Sequence, residues 1–181
     1  MRWSGGPLPD GVASFEQVVM PHMAAGYNLA RWLLRNHQDA EDVMQEAIVR
    51  AFRFFAGFRG NNPRSWLLTV VRNSAYSFLQ QNRARELGAE LDEEEHAAPE
   101  SEAPDVLLLR SARQRFLNEA VEELPVEFRE VFVLRELEGM SYKEIADMAQ
   151  IPMGTVMSRL SRARRQLQAA VARREQAGSA R

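Results

Sequence analysis

At 181 residues the chain is long enough for one ordinary core or two small ones, and 45% hydrophobic content excludes wholesale disorder. The absence of cysteine excludes disulfides and thiolate metal sites and fits a reducing compartment. The net charge of −2 is unevenly spread: residues 1–85 carry 10 Lys/Arg against 6 Asp/Glu, residues 86–105 carry 9 Asp/Glu and no Lys/Arg, and residues 106–181 carry 13 against 10. An acidic strap thus separates two basic modules, which a pI alone conceals.

In chain order, Met1–Gly11 is Gly/Pro-rich without an apolar core of the signal-peptide kind, and residues 1–13 are expected to be disordered. Ser14-Phe-Glu-Gln17 has capping-box spacing, and helical periodicity runs from Phe15 to about Asn36, kinked or delayed at Pro21. Asp39 is the expected N-cap of the next helix, with Glu41 and Asp42 in its first turn, ending near Phe55 before Gly57. After the loop Phe58–Asn62, Pro63 opens a helix to about Arg85. Residues 86–105 lack helical periodicity and read as a charged, extended linker. Helical pattern returns over Val106–Glu123, Pro125 opens a helix stopping near Glu138–Gly139, and Ser141-Tyr-Lys-Glu144 is a second capping box. A short helix to about Gln150, a tight turn over Ile151–Gly154 and a last helix to about Arg174 follow, leaving 176–181 as a disordered tail. The expected fold is all-α, with helical domains over 14–85 and 106–175. The longest clean apolar runs, such as Trp66–Leu68, are far too short to cross a bilayer, so a cytoplasmic protein without membrane insertion is expected.

Residues 141–165 carry the most information. A capped helix, a turn with Pro and Gly and a second, Arg-rich helix make a helix-turn-helix. An Arg run alone fits a solvated surface helix, but the cap and turn at these offsets favour DNA reading. Small Ala146 suits a close helix crossing, and Ile145, Met148, Ile151, Val156 and Leu160 supply packing. The second helix presents Thr155, Ser158, Arg159, Arg162, Arg164 and Arg165, whose hydroxyls and guanidinium groups suit phosphate and guanine edges.

The run from Leu124-Pro125 through Arg129-Glu-Val-Phe-Val-Leu134 and Ser141-Tyr-Lys-Glu-Ile145-Ala146 to Thr155-Val156-Met-Ser158-Arg159-Leu160-Ser-Arg162 closely resembles region 4 of extracytoplasmic-function (ECF) sigma factors of the sigma-70 family. The resemblance implies a domain reading the −35 promoter element, with Thr155, Met157, Ser158, Arg159, Ser161, Arg162 and Arg165 at the DNA. Many members carry Lys or Arg where this chain has Met157, which suits an apolar contact such as a thymine methyl.

In the first module, Asp39-Ala-Glu41-Asp42-Val-Met-Gln45-Glu46 gathers Asp39, Glu41, Asp42, Gln45 and Glu46 around one helix surface, with Val43, Ala47, Ile48 and Ala51 free to face inwards. Taken alone this is a solvated face. The segment resembles region 2.2 of the same family, which implies docking on the clamp helices of core RNA polymerase. Most aromatic rings of Phe52–Val71, Trp66 in particular, suit a core. The polar loop Phe58–Asn62 and the following helix suit an extruded base, and the family resemblance implies −10 contacts by Arg59, Asn61, Asn62, Arg64, Arg72 and Asn73. The end of that helix departs from the family pattern: Asn73 is followed by Ser77, Gln80 and Gln81, and basic charge waits until Arg83 and Arg85.

The expected function is therefore an alternative sigma factor that binds core polymerase through the clamp helices and the flap, reads promoter DNA and helps melt it. The resemblance adds an anti-sigma factor as a partner. The acidic strap, notably Glu90–Glu95, is either plain spacer, a mimic of nucleic-acid backbone or a shield for the basic modules. A stand-alone helix-turn-helix regulator also explains residues 141–165 but leaves the acidic/Gln surface idle. An enzyme is disfavoured: His22, His37 and His96 lie in unrelated contexts, and no phosphate-binding Gly motif, nucleophile signature, metal-ligand spacing or cofactor site is present.

Overall fold

The computed structural model describes residues 12–60, 62–88 and 108–179, which form α-helices joined by short turns with no strand among them. The chain divides into two compact units, Met1–Ala98 and Pro99–Arg181. The expected extended linker lies outside the described residues from 89 onwards, and residues 86–88 still belong to a helix. None of the described helices is long and apolar enough to cross a membrane.

The first unit contains α1 (Val12–Val19), α2 (Met23–Leu34), α3 (His37–Phe54) and α4 (Pro63–Gly88). α1 starts at Val12, inside the expected disordered stretch, so Ser14 lies within the helix and is buried rather than capping it. Pro21 has no N–H to give a helical ladder, and the chain crosses it in a 3-10 turn, Met20–His22. α2 ends at Arg35, left-handed at φ 63, whose N–H donates to the Arg31 carbonyl. The next residue, Asn36, is extended and its Oδ1 accepts from the Asp39 N–H at 3.1 Å. Asn36, not Asp39, is therefore the N-cap of α3. Both side chains can cap, and the one placed where the backbone is still extended takes the role; Asp39 then offers its carboxylate to the positive end of the helix dipole.

α2, α3 and α4 pack against one another through Leu29, Leu33, Val43, Ala47, Ala51, Leu67, Leu68 and Val71, all essentially buried. Full burial of each large aliphatic chain contributes about 1.5–3 kcal/mol. α3 and α4 side chains close over Gly26 of α2, where a Cβ would stand 2.9 Å from Met44 Cε and 3.3 Å from Val71 Cγ2. Phe55 and Phe58 are buried in an aromatic cluster with Phe15 and Trp66, the Phe58 and Trp66 rings 4.9 Å apart. Two other rings depart from the core expectation. Phe52 sets its edge on Phe15 but stays 48% exposed, and Phe54 is 65% exposed.

The second unit contains α5 (Leu108–Glu122), α6 (Val126–Phe132), α7 (Tyr142–Ala149) and α8 (Met153–Ser179), which runs past the expected end at Arg174 and takes in most of the supposed tail. α6 widens into a π-helical turn, Val133–Leu137, closed by Glu138 N–H on the Val133 carbonyl. Gly139 then takes φ +67, a conformation that glycine adopts without strain. Leu124, Val131, Leu134, Met140, Ile145, Met148, Val156, Leu160 and Ala163 form the core. Arg129 is buried on α6, and its guanidinium donates to the Glu122 carbonyl at the end of α5.

Candidate nucleic-acid interface

α7 is started by a complete capping box. Ser141 Oγ accepts from the Glu144 N–H at 3.2 Å, and the Glu144 carboxylate accepts from the Ser141 N–H at 2.8 Å. The helix stops at Gln150, left-handed at φ 54, with its N–H on the Ala146 carbonyl. Pro152 begins α8: its carbonyl accepts from the Thr155 N–H at 2.8 Å and the Val156 N–H at 3.2 Å. These three residue-level devices produce the helix-turn-helix.

Along α8, Val156, Leu160 and Ala163 are buried at i, i+4 and i+7, so the opposite face is turned outwards. Met157, Ser158, Ser161, Arg162 and Arg165 are exposed there, whereas Thr155 and Arg159 are half-buried on its flanks. The Ser158 hydroxyl donates to the Thr155 carbonyl at 3.0 Å. No acidic residue occurs from Met153 to Arg174, so the outward face carries unbroken positive charge. Arg164 departs from the group. It reaches the Glu136 carboxylate at 2.5 Å, which raises its pKa above the usual arginine value mainly through that hydrogen bond. Arg135 acts alongside, donating to the Met140 carbonyl at 2.8 Å and lying over the Tyr142 ring at 4.7 Å. Together these two arginines tie the π-helical turn to α7 and α8.

In the first unit, α3 buries Ala40, Val43, Met44, Ala47 and Ala51 and turns Glu41, Asp42, Gln45 and Glu46 to solvent, with Asp39 half-buried at its start. Ile48 is half-buried, less than its expected inward position. The acidic charge is partly met within the helix, where Arg50 lies 2.5 Å from Glu46; the His37 ring lies 3.3 Å from Glu41 and also meets the Tyr27 hydroxyl. Val49, 51% exposed, and Phe52 continue the same row. Neither belongs to the expected docking set, which holds Asp39, Glu41, Asp42, Gln45 and Glu46 alone, and Phe52 is expected in the core. Their i+4 and i+7 spacing from Gln45 was the available signal.

The expected −10 residues are spread over two kinds of environment. Arg59 donates to the carbonyls of Ala56 at 2.6 Å and Phe58 at 3.1 Å, which fastens the loop to the 3-10 turn Phe55–Gly57 that follows α3. Asn62 Oδ1 accepts from the Ser65 N–H at 2.9 Å and its carbonyl accepts from the Trp66 N–H, so Asn62 caps α4. Arg64 stands in the first turn of α4 near His22, whose pKa is lowered by burial and by the Arg64 charge. Arg72 lies 4.5 Å over the Tyr76 ring, with Asn73 Oδ1 at 3.4 Å. Asn61 lies outside the described residues.

The described residues contain no group of three or more His, Cys, Asp or Glu side chains able to hold a metal ion. What the surfaces offer instead is a cationic helix edge in one unit and an anionic one in the other.

Two family models match the chain. One described as Sigma-70 region 2 covers residues 18–85, and one described as Sigma-70, region 4 covers residues 117–167. The RNA polymerase sigma-H factor of Pseudomonas aeruginosa is 33% identical over 159 residues, covering 83% of this chain and 82% of that protein. The ECF RNA polymerase sigma-E factor of Escherichia coli is 35% identical over 134 residues, 70% of each chain. Among solved structures, the sigma factor RpoE of Bartonella quintana, in complex with the anti-sigma factor NepR, superimposes with a TM-score of 0.74 at 28% identity, covering 89% of this chain and 98% of that one. CnrH in complex with the cytosolic domain of CnrY gives 0.60 at 26% identity over 88% of each. With both sigma regions matched, a helix-turn-helix in the second unit and an acidic α3 in the first, the chain belongs to the sigma-70 family, in its extracytoplasmic-function branch.

Proposed function

We propose that the two helix faces divide the work of this sigma factor: α3 docks the chain on RNA polymerase, and α8 reads the −35 duplex. As an alternative sigma factor the chain binds core polymerase and directs promoter-specific initiation. The observation that carries the division is charge. α8 presents exposed Arg162 and Arg165, with Ser158 and Ser161, on a face free of acid, while α3 presents Glu41, Asp42, Gln45 and Glu46. A phosphate backbone attracts the first and repels the second.

In this reading Ser158, Ser161 and Arg165 hold phosphates, Arg162 and Met157 reach base edges, and Thr155 and Arg159 flank the contact. Asp39 belongs with the docking face by position. Arg64, Arg72 and Asn73 line the path of the melted −10 strand, and Arg59, Asn61 and Asn62 form its loop. Because Arg59 and Asn62 already hydrogen-bond the loop backbone, their part is to hold its shape around a flipped base rather than to reach far out. The chain performs no bond chemistry, acts in the cytoplasm beside polymerase, and is bound by an anti-sigma factor, a reading supported by the Bartonella relative solved in complex with the anti-sigma factor NepR. Docking also uses the polymerase flap through the second unit. Two weak contacts on one promoter add through effective concentration.

Run-off transcription with core polymerase across a promoter library tests this. Start sites that share both elements are expected, and E46K should lose core binding without losing binding of the isolated −35 duplex. A chain that never associates with core polymerase, yet binds duplex alone, would overturn it.

A further inference from the structure

The chain has no cysteine and eight methionines, so its redox-reactive sulfur is all thioether. Met44, Met140 and Met148 are buried at 6%, 2% and 4% exposure, out of reach of a dissolved oxidant. Met20 in the first unit is 50% exposed; Met153 and Met157 in the second are 49% and 44% exposed. The last two are i and i+4 in the first two turns of α8 and so lie on one face, separated by Gly154, which covers neither. Met157 also lines the groove it shares with Tyr142, Ser161 and Arg165, on the face assigned above to the −35 duplex.

We propose that Met153 and Met157 form an oxidation site that switches DNA reading by α8; this rests on the DNA-facing reading of that helix. The co-reactant is a peroxide. With hydrogen peroxide, the thioether sulfur attacks one oxygen, the O–O bond breaks as the S–O bond forms, the sulfur is oxidised by two electrons, and the other oxygen departs as hydroxide and takes the proton of the transferred oxygen to leave as water. The product is a sulfoxide, polar and chiral where an apolar chain had been. At a base edge it loses the fit to a thymine methyl. It also brings a partial negative oxygen onto a helix that carries no acid of its own from Met153 to Arg174, towards a phosphate backbone. The reaction is reversible by sulfoxide reductases, which makes it a switch rather than only damage.

The full chain is treated with hydrogen peroxide, mapped by peptide mass spectrometry, and titrated with a −35 duplex before and after. Conversion at Met153 and Met157 is expected to weaken binding roughly tenfold, the size of one lost base contact. Methionine sulfoxide reductase should restore it, and prior binding of the duplex should shield Met157. M153L/M157L, compared with its own untreated affinity, should lose nothing to peroxide, whereas M20L should remain as sensitive as the parent. Full oxidation at both positions with unchanged binding overturns the switch, as does equal loss in M153L/M157L or no recovery with the reductase. If the untreated chain binds no duplex, the reading of α8 fails first, and that result is separate from any effect of peroxide.

Discussion

α3 and α8 are both amphipathic helices with a small-residue or aliphatic stripe buried and a charged face outwards, yet they manage that charge in opposite ways. On α3 the charges are mixed, and Glu46 is met one turn away by Arg50. On α8 no acid occurs before Glu175, and Arg164 is neutralised by Glu136 from a different element. Intrahelical pairs at i,i+4 contribute about 0.3–0.5 kcal/mol each and make a face at ease in water. A face of unrelieved like charge gains nothing from its own fold and is stable because a few exposed cations repel weakly in water. The contrast separates a surface suited to a protein partner from one suited to a polyanion.

The largest expected effect breaks the comparison at its base. L160A removes a side chain that is 2% exposed between α8 and its unit and should destabilise that unit by about 2–5 kcal/mol. Circular dichroism melts should then show the second unit lost at lower temperature, while polymerase docking through α3 persists. Next, R162A should weaken the −35 duplex by about 1–3 kcal/mol, and unequally among −35 variants, if the guanidinium reads a base. A uniform loss across variants in a binding titration would reassign it to phosphate. Removing the capping side chain with S141A should cost about 1 kcal/mol in the same melts, because the Glu144 N–H at the start of α7 loses the Ser141 Oγ as its acceptor. The smallest effect concerns His22. Burial and the Arg64 charge lower its folded pKa below the ordinary 6.5, so the folded state binds its proton less readily than the unfolded one. Stability is therefore fully present above about pH 6.5 and declines as pH falls below it, levelling off beneath the folded pKa. R64Q should flatten that slope in pH-dependent melts, and an unchanged slope would remove Arg64 as a cause.

The second unit was the more legible of the two. Ser141 and Glu144, the turn at Ile151-Pro152 and the pair Val156 and Leu160 each act over a few residues, and each functions where the spacing put it. The first unit misled at two caps. Ser14 has the spacing of a capping box but lies inside α1, and Asp39 yields to Asn36 because the chain is still extended there. Spacing alone does not reveal where the backbone leaves the extended region. Pro21 behaved as its chemistry demands, and the choice between a kink and a delayed start resolved into one 3-10 turn joining two helices.

Candidate contacts followed the same division. Exposure of Glu41, Asp42, Gln45 and Glu46 followed from helical period, as did that of Met157, Ser161, Arg162 and Arg165. By contrast, Arg59, Asn62 and Arg164 looked equally free in the sequence, and each has bonds of its own. The exposed ring of Phe54 was unexpected as well, since neighbouring Phe55 and Phe58 are core.

By itself the sequence determined the helical class, the position of the helix-turn-helix and the sign of charge on each outward face. These depend on hydrogen bonds and periodicity within a turn or two, where identity and spacing are enough. Only the tertiary structure decided that Glu136 takes Arg164 from across 28 positions, that Gly26 must admit Met44 and Val71, and which thioethers meet solvent. Those outcomes depend on which surfaces the packed helices bring together, and local spacing carries no record of that.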